Sequence, residues 1–225
     1  MIPETLGPRA SAELARRTRA GDGMGLWTRD QRKRVPYSYR GRVSANAWHG
    51  PPTDILGCAV PVQQFVARTD HTVVALQQVI AFPEGCVLSL HVAVQRGSLD
   101  ESTWNGLVTS HSGRYPEVPQ PGDDLKFGVR FPDGSRGTTV GHAFRGWAHP
   151  TDRPEPPMLI EVGGQSSGSE LFYQRHWRLW LWPLPPLDSF EFVIEWHSMG
   201  IDMTSVQLDG SAIVRAAEQA LPYWP

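Results

Sequence analysis

The chain has 225 residues, 40% of them hydrophobic, and a formal charge near −2. That is enough length for one large core, since all-β domains of about 200–250 residues are common. No stretch approaches the ~20 apolar residues of a membrane span, and no apolar h-region marks a signal peptide, so the chain reads as a soluble cytoplasmic protein.

Residues 1–50 read as a basic N-terminal arm. Ser11 can cap a short helix through Ala20, with Gly21 as its stop. Up to Arg42 there are ten Arg or Lys against four Asp or Glu, a net of +6 that leaves −8 for the remainder if the total is −2. Arg32, Lys33 and Arg34, with Tyr37 and Tyr39 nearby, are the residues an acidic partner or a nucleic acid would meet. The plainer reading is an arm packed on its own acidic body, or one simply solvated.

Residues 51–225 read as a single domain. Ile55 to Ala67 is a strand bent at Pro61. His71 to Phe82 and Gly85 to Arg96 form a hairpin over Pro83-Glu84-Gly85. In its second strand Cys86, Leu88, Leu90, Val92 and Val94 share an inner face, opposite Ser89, His91 and Gln95. The first strand is apolar on both faces, as in a central strand covered on both sides. Leu99 to Gly122 reads as a long loop holding Trp104. Asp124 to Phe131 alternates, with Leu125, Phe127, Val129 and Phe131 inward, and Asp133-Gly134 signals a tight hairpin before Arg136 to Ala143. Trp147 to Pro157 is a proline-rich loop, Met158 to Val162 a short strand, and Gly163 to Gly168 a flexible turn.

Leu171 to Trp196 holds four of the nine Trp and reads as two long antiparallel strands around Pro183, Pro185 and Pro186. In the first, the odd positions Leu171, Tyr173, Arg175, Trp177, Leu179 and Leu181 make the better core face. In the second, Phe190, Phe192, Ile194 and Trp196 point inward. With Leu181 opposite Phe190, the outer face gathers His176, Arg178, Trp180, Trp182, Glu191 and Glu195. These six are the candidate ligand- or partner-binding residues. They form either a ladder of surface ion pairs with the Trp covered, or a binding platform of aromatics and charges. Met203 to Leu208 is a last strand, and Asp209 caps a C-terminal helix from Gly210 to about Ala220.

Chemistry is thinly marked. Cys58 and Cys86 are too few for a disulfide framework or a zinc site and read as small buried thiols. The eight His show no metal-ligand spacing. No Gly-x-Ser-x-Gly elbow is present. Gly163 to Gly168 lacks the ending of a phosphate loop. Glu191 and Glu195 have Cα atoms about 13 Å apart on a strand, wide for a carboxylate pair. No catalytic residue, metal or cofactor is therefore assigned.

About nine or ten strands, one or two short helices and no βαβ alternation argue for a mainly β protein, an antiparallel two-sheet β-sandwich. Residues 55–221, through DLKFGVRFPDGSRGTT, LFYQRHWRLWLWPLPP, EFVIEWHSMGI and LDGSAIVRAAEQA, resemble a widespread uncharacterised type of actinobacterial protein. That resemblance implies a single β-rich domain and no activity. The expected function is a non-enzymatic binding or assembly module, its partner another protein or a second copy. The alternative is a sandwich that binds a small ligand or carbohydrate on the Trp-rich face. An enzyme built from scattered polar residues is the third reading.

Overall fold

A computed structural model describes residues 46–110, 125–139 and 153–224, and in it the most regular alternation of the chain becomes the middle of a sheet. Cys86, Leu88, Leu90, Val92 and Val94 are all completely buried, on strand β4 (Gly85–Gln95). Its neighbours are β3 (Thr72–Phe82), joined over the expected Pro83-Glu84 turn, and β8 (Phe172–Trp182). With β2 (Cys58–Arg68) and β7 (Met158–Gly168) at the edges, the antiparallel order is β2-β3-β4-β8-β7. β2 bends after Pro61: the register shifts there, and Gln63 takes a positive φ of 53°.

A four-stranded sheet runs β10-β9-β5-β6, from β5 (Lys126–Arg130), β6 (Arg136–Thr138), β9 (Phe190–Trp196) and β10 (Ile201–Leu208). The Asp-Gly turn forms as expected. Phe131 N–H donates to Ser135 O at 2.9 Å, and Gly134 supplies the left-handed φ of 86°. β1 (Ile55–Leu56) pairs with β11 (Leu221–Pro222) in a separate two-stranded ladder.

One buried cluster draws on both larger sheets. Leu90 and Trp177 from the five-stranded sheet meet Phe127, Phe192 and Trp196 from the four-stranded one. The Phe127 ring lies edge-on to Trp177 at 5.5 Å and stacks near Phe192 at 6.2 Å. A second cluster of Phe82, Val87, Met158, Ile160, Trp180 and Trp182 lies on the opposite face of the five-stranded sheet. Ala47, Trp48 and Ile55 pack against it. At that end the sheet is apolar on both faces, which is why β8 shows no clean period of two.

Three expectations fail here. The stretch 171–196 is not a hairpin. β8 has both edges taken by β4 and β7, β9 has both taken by β5 and β10, and residues 183–189 carry the chain from one sheet to the other. Consecutive strands pair only about two-thirds of the time. Within the loop that starts at Leu99, residues Glu101–Ser110 form helix α1, capped by Asp100, whose Oδ1 accepts from Thr103 N–H at 3.0 Å. The third correction concerns Gly163 to Gly168. It is no turn but the second half of β7, drawn into extended form by its ladder with β8 despite weak side-chain preference. The turn falls one step later, where Ser169 Oγ accepts from Leu171 and Phe172 N–H.

The C-terminal helix α2 spans Gly210–Ala217 and buries Ile213, Ala216 and Ala217. Asp209 accepts from Ala212 N–H at 3.2 Å, and bonds from Ser211 first, then Ala212, hold its carboxyl below the usual range. Asp209→Ala is therefore expected to lower the melting temperature measurably. Asp209→Asn, still an acceptor, should lose less, as read by thermal denaturation. Among the described residues no helix is long and apolar enough to cross a membrane. Residues 1–45 of the basic arm, with Arg32, Lys33 and Arg34, lie outside the described residues.

Candidate functional site

The outer face of the five-stranded sheet divides into a covered end and an open end. At the covered end, the turn Ala47–His49 lies over β8. Trp180 is completely buried and donates from Nε1 to Ala47 O at 2.8 Å. Trp182, 4% exposed, meets Trp48 edge-on at 5.8 Å. The two Trp of the sequence-derived platform are thus core residues. The sequence hid this because the covering segment lies more than 130 positions upstream, inside what reads as the arm.

At the open end the registered row Phe65, Ala75, His91, His176 and Gln165 crosses all five strands. None of the strand residues in this row, or in the rows on either side, is Asp or Glu. The face instead carries donors. The Arg178 side chain is exposed and makes no ion pair or hydrogen bond with a described residue. His176 is exposed, and its ring centroid lies 4.6 Å from that of His91, tilted 53°. His91 is half-buried, with a buried Nδ1 that has no hydrogen-bond partner. Arg68 lies over the Phe65 ring at 3.9 Å.

Glu191 and Glu195 are elsewhere, on the outer face of the four-stranded sheet, and both are matched. Glu191 accepts from Arg130 at 3.0 Å. Glu195 accepts from Lys126 at 2.7 Å and meets His197 at 2.6 Å, and the Lys126 bond leads in holding its carboxyl below the usual range. Cross-strand charge pairing occurs as the sequence suggested, with β5 as the partner in place of β8. The six predicted residues therefore fall in three places: His176 and Arg178 on the open end, both Trp beneath the covering turn, both Glu on the other sheet. His91 and Arg68 are the additions. His91 was legible as an outer-face residue of β4, and only the β4–β8 pairing was missing.

His91 titrates below the usual imidazole value of 6.5, because burial disfavours its charge and His176 adds repulsion. As pH falls through 6.5 the unfolded chain takes the proton first, so this group's contribution is complete above 6.5 and is lost toward its lower folded value. His91→Gln should flatten the fall in the urea midpoint between neutral pH and about pH 5. An unchanged slope would show that His91 is freely solvated.

The two cysteines are unpaired, Cys86 buried and Cys58 half-buried. Among the described residues no group of three or more His, Cys, Asp or Glu could hold a metal ion. His71 Nε2 lies 3.3 Å from Ser98 Oγ, but no described carboxylate bonds the other side of that ring. Comparison with protein-family models, curated proteins and solved structures finds no match.

Proposed function

We propose that this chain is a binding module, a two-sheet β-sandwich without catalytic machinery, and that it meets a partner protein on the open end of its five-stranded sheet. The observation that supports this reading is Arg178 together with the His91–His176 pair, in strand rows that hold no carboxylate among the described residues. Proteins ordinarily intersperse both signs of charge on a surface. The other sheet of this protein does so with its Lys126–Glu195 and Arg130–Glu191 pairs. Trp180 and Trp182 are buried and present no open ring face to a carbohydrate.

The test is a photocrosslinking side chain placed at position 176 or at position 205, an exposed residue of the four-stranded sheet. Position 176 should give a discrete adduct that Arg178→Glu abolishes, and position 205 should give none. Equal labelling at both, or adducts that survive Arg178→Glu, would sink the proposal.

A second reading, self-assembly, has its own observation. Leu56 and Leu221 face each other on the β1–β11 ladder at 54% and 60% exposure, next to Trp224 at 77%. Such a patch fits a subunit contact. Sedimentation should then show a defined multimer that Leu221→Glu converts to monomer. A monomeric wild type at high concentration would end this reading.

A further inference from the structure

We propose that Arg178 and the His91–His176 pair seat an acidic peptide segment of a partner protein, and that the seat is completed by a proton on the histidine pair. The inference rests on the binding-module reading and says what the open face binds.

The chemistry follows from what surrounds the pair. Ala75 faces it from β3, Gln165 from β7, Ser89 and Ala93 from its own strand β4, and Gln174 from β8. The charged groups beside it are Arg178, two residues along β8, and Arg68 at the β2 edge. Among the described strand residues around the pair the charge is all positive, and no acid there neutralises a second cation. A neutral imidazole offers one donor and one acceptor, whereas a protonated one offers two donors. Protonating His91 is opposed by its burial and by the His176 ring 4.6 Å away, so the free face favours His91 in its neutral form. A bound carboxylate reverses that balance. It accepts the Arg178 fork, and it favours the proton on the adjacent imidazole. Linkage then works both ways: the anion draws the proton in, and acid tightens the anion.

The donors run from Arg68 on β2 to Gln165 on β7, four strand spacings, or about 19 Å at ~4.8 Å each. That is the reach of about six residues of extended peptide at ~3.3 Å per residue. A single-stranded nucleic acid would need free aromatic rings on which to stack its bases. Arg68 lies over one side of the Phe65 ring, and Trp180 and Trp182 are buried. The exposed rings of Phe65 on β2 and Phe172 on β8 stand three strand spacings apart, so the face offers no run of adjacent rings.

The experiment uses the full chain and three fluorescent probes: a ten-residue peptide of alternating Glu and Ser, its Lys counterpart, and a ten-nucleotide DNA strand. Anisotropy is read near pH 5.5 and pH 8 at one ionic strength. The Glu peptide should bind about tenfold tighter at the lower pH, a coupling of ordinary size. His176→Gln and His91→Gln should remove that pH dependence, and Arg178→Gln should weaken binding at both. Ser205→Gln, on the other sheet, should change nothing. Near-ultraviolet circular dichroism checks that each variant is folded, and imidazole resonances should titrate higher when the Glu peptide is present. Equal or tighter binding of the Lys peptide or the DNA overturns the acidic-peptide assignment. Affinity for the Glu peptide that does not vary with pH, or a pH dependence kept by both His variants, overturns the proton coupling. If position 176 crosslinks a partner while the Glu peptide does not bind, this inference falls and the binding-module reading stands. If position 176 captures nothing, both fall.

Discussion

Trp180→Ala should cost about 3–5 kcal/mol, the range for deleting a large buried aromatic. The side chain is completely buried, stands edge-on to Phe82 at 5.9 Å, and ties down the covering turn through Ala47 O. Its loss leaves a cavity in the smaller cluster and removes the donor from a carbonyl that closes over it. Trp180→Phe keeps most of the apolar contact and drops the hydrogen bond, so about 1–2 kcal/mol is expected. Urea denaturation of the three proteins gives both numbers. A loss below about 1 kcal/mol for the alanine variant would mean that the turn 47–49 does not cover β8 in solution.

Gly210→Ala should destabilise by about 3 kcal/mol, although alanine is the better helix former. Gly210 opens helix α2, and a Cβ there would overlap the carbonyl oxygens of Pro186 and Asp188. Both are backbone atoms of the segment that links the two larger sheets, so no rotamer change relieves the overlap. The gain in helix propensity is at most about 1 kcal/mol at an interior site. Ala212→Gly, a half-buried position in the same helix, is the control and should cost about 1 kcal/mol from propensity alone. A stabilised Gly210→Ala would show that the helix start does not sit against the 183–189 segment.

What was legible in the sequence was local. Phe127, Val129 and Phe131 alternate over five residues, and Asp133-Gly134 closes their hairpin within the same short stretch. Asp209 caps α2 from the adjacent position. The β3–β4 hairpin needs only Pro83-Glu84 between two apolar runs. What escaped was non-local. The β4–β8 pairing joins residues 86–95 to 172–181, and no turn residue signals it. Without that register, His91 and His176 are two isolated histidines; with it they are neighbours. Helix α1 escaped because Trp104 and Leu107 are its large buried residues, too few to show a helical period. The second half of β7 escaped because its side chains face solvent for the most part, so no apolar pattern was required of them.

The buried thiol of Cys86 has a use beyond packing. It sits between Ala81 on β3 and Leu181 on β8, with no exposed surface, and burial pushes its ionisation far above that of a free thiol. Half-buried Cys58, on the edge strand, gives a second thiol for comparison. A thiol-specific reagent should therefore label the native protein in two phases, Cys58 first and Cys86 only as fast as the centre of the five-stranded sheet parts. The slow phase is a clock for that opening event, readable without denaturant and without any added probe in the chain.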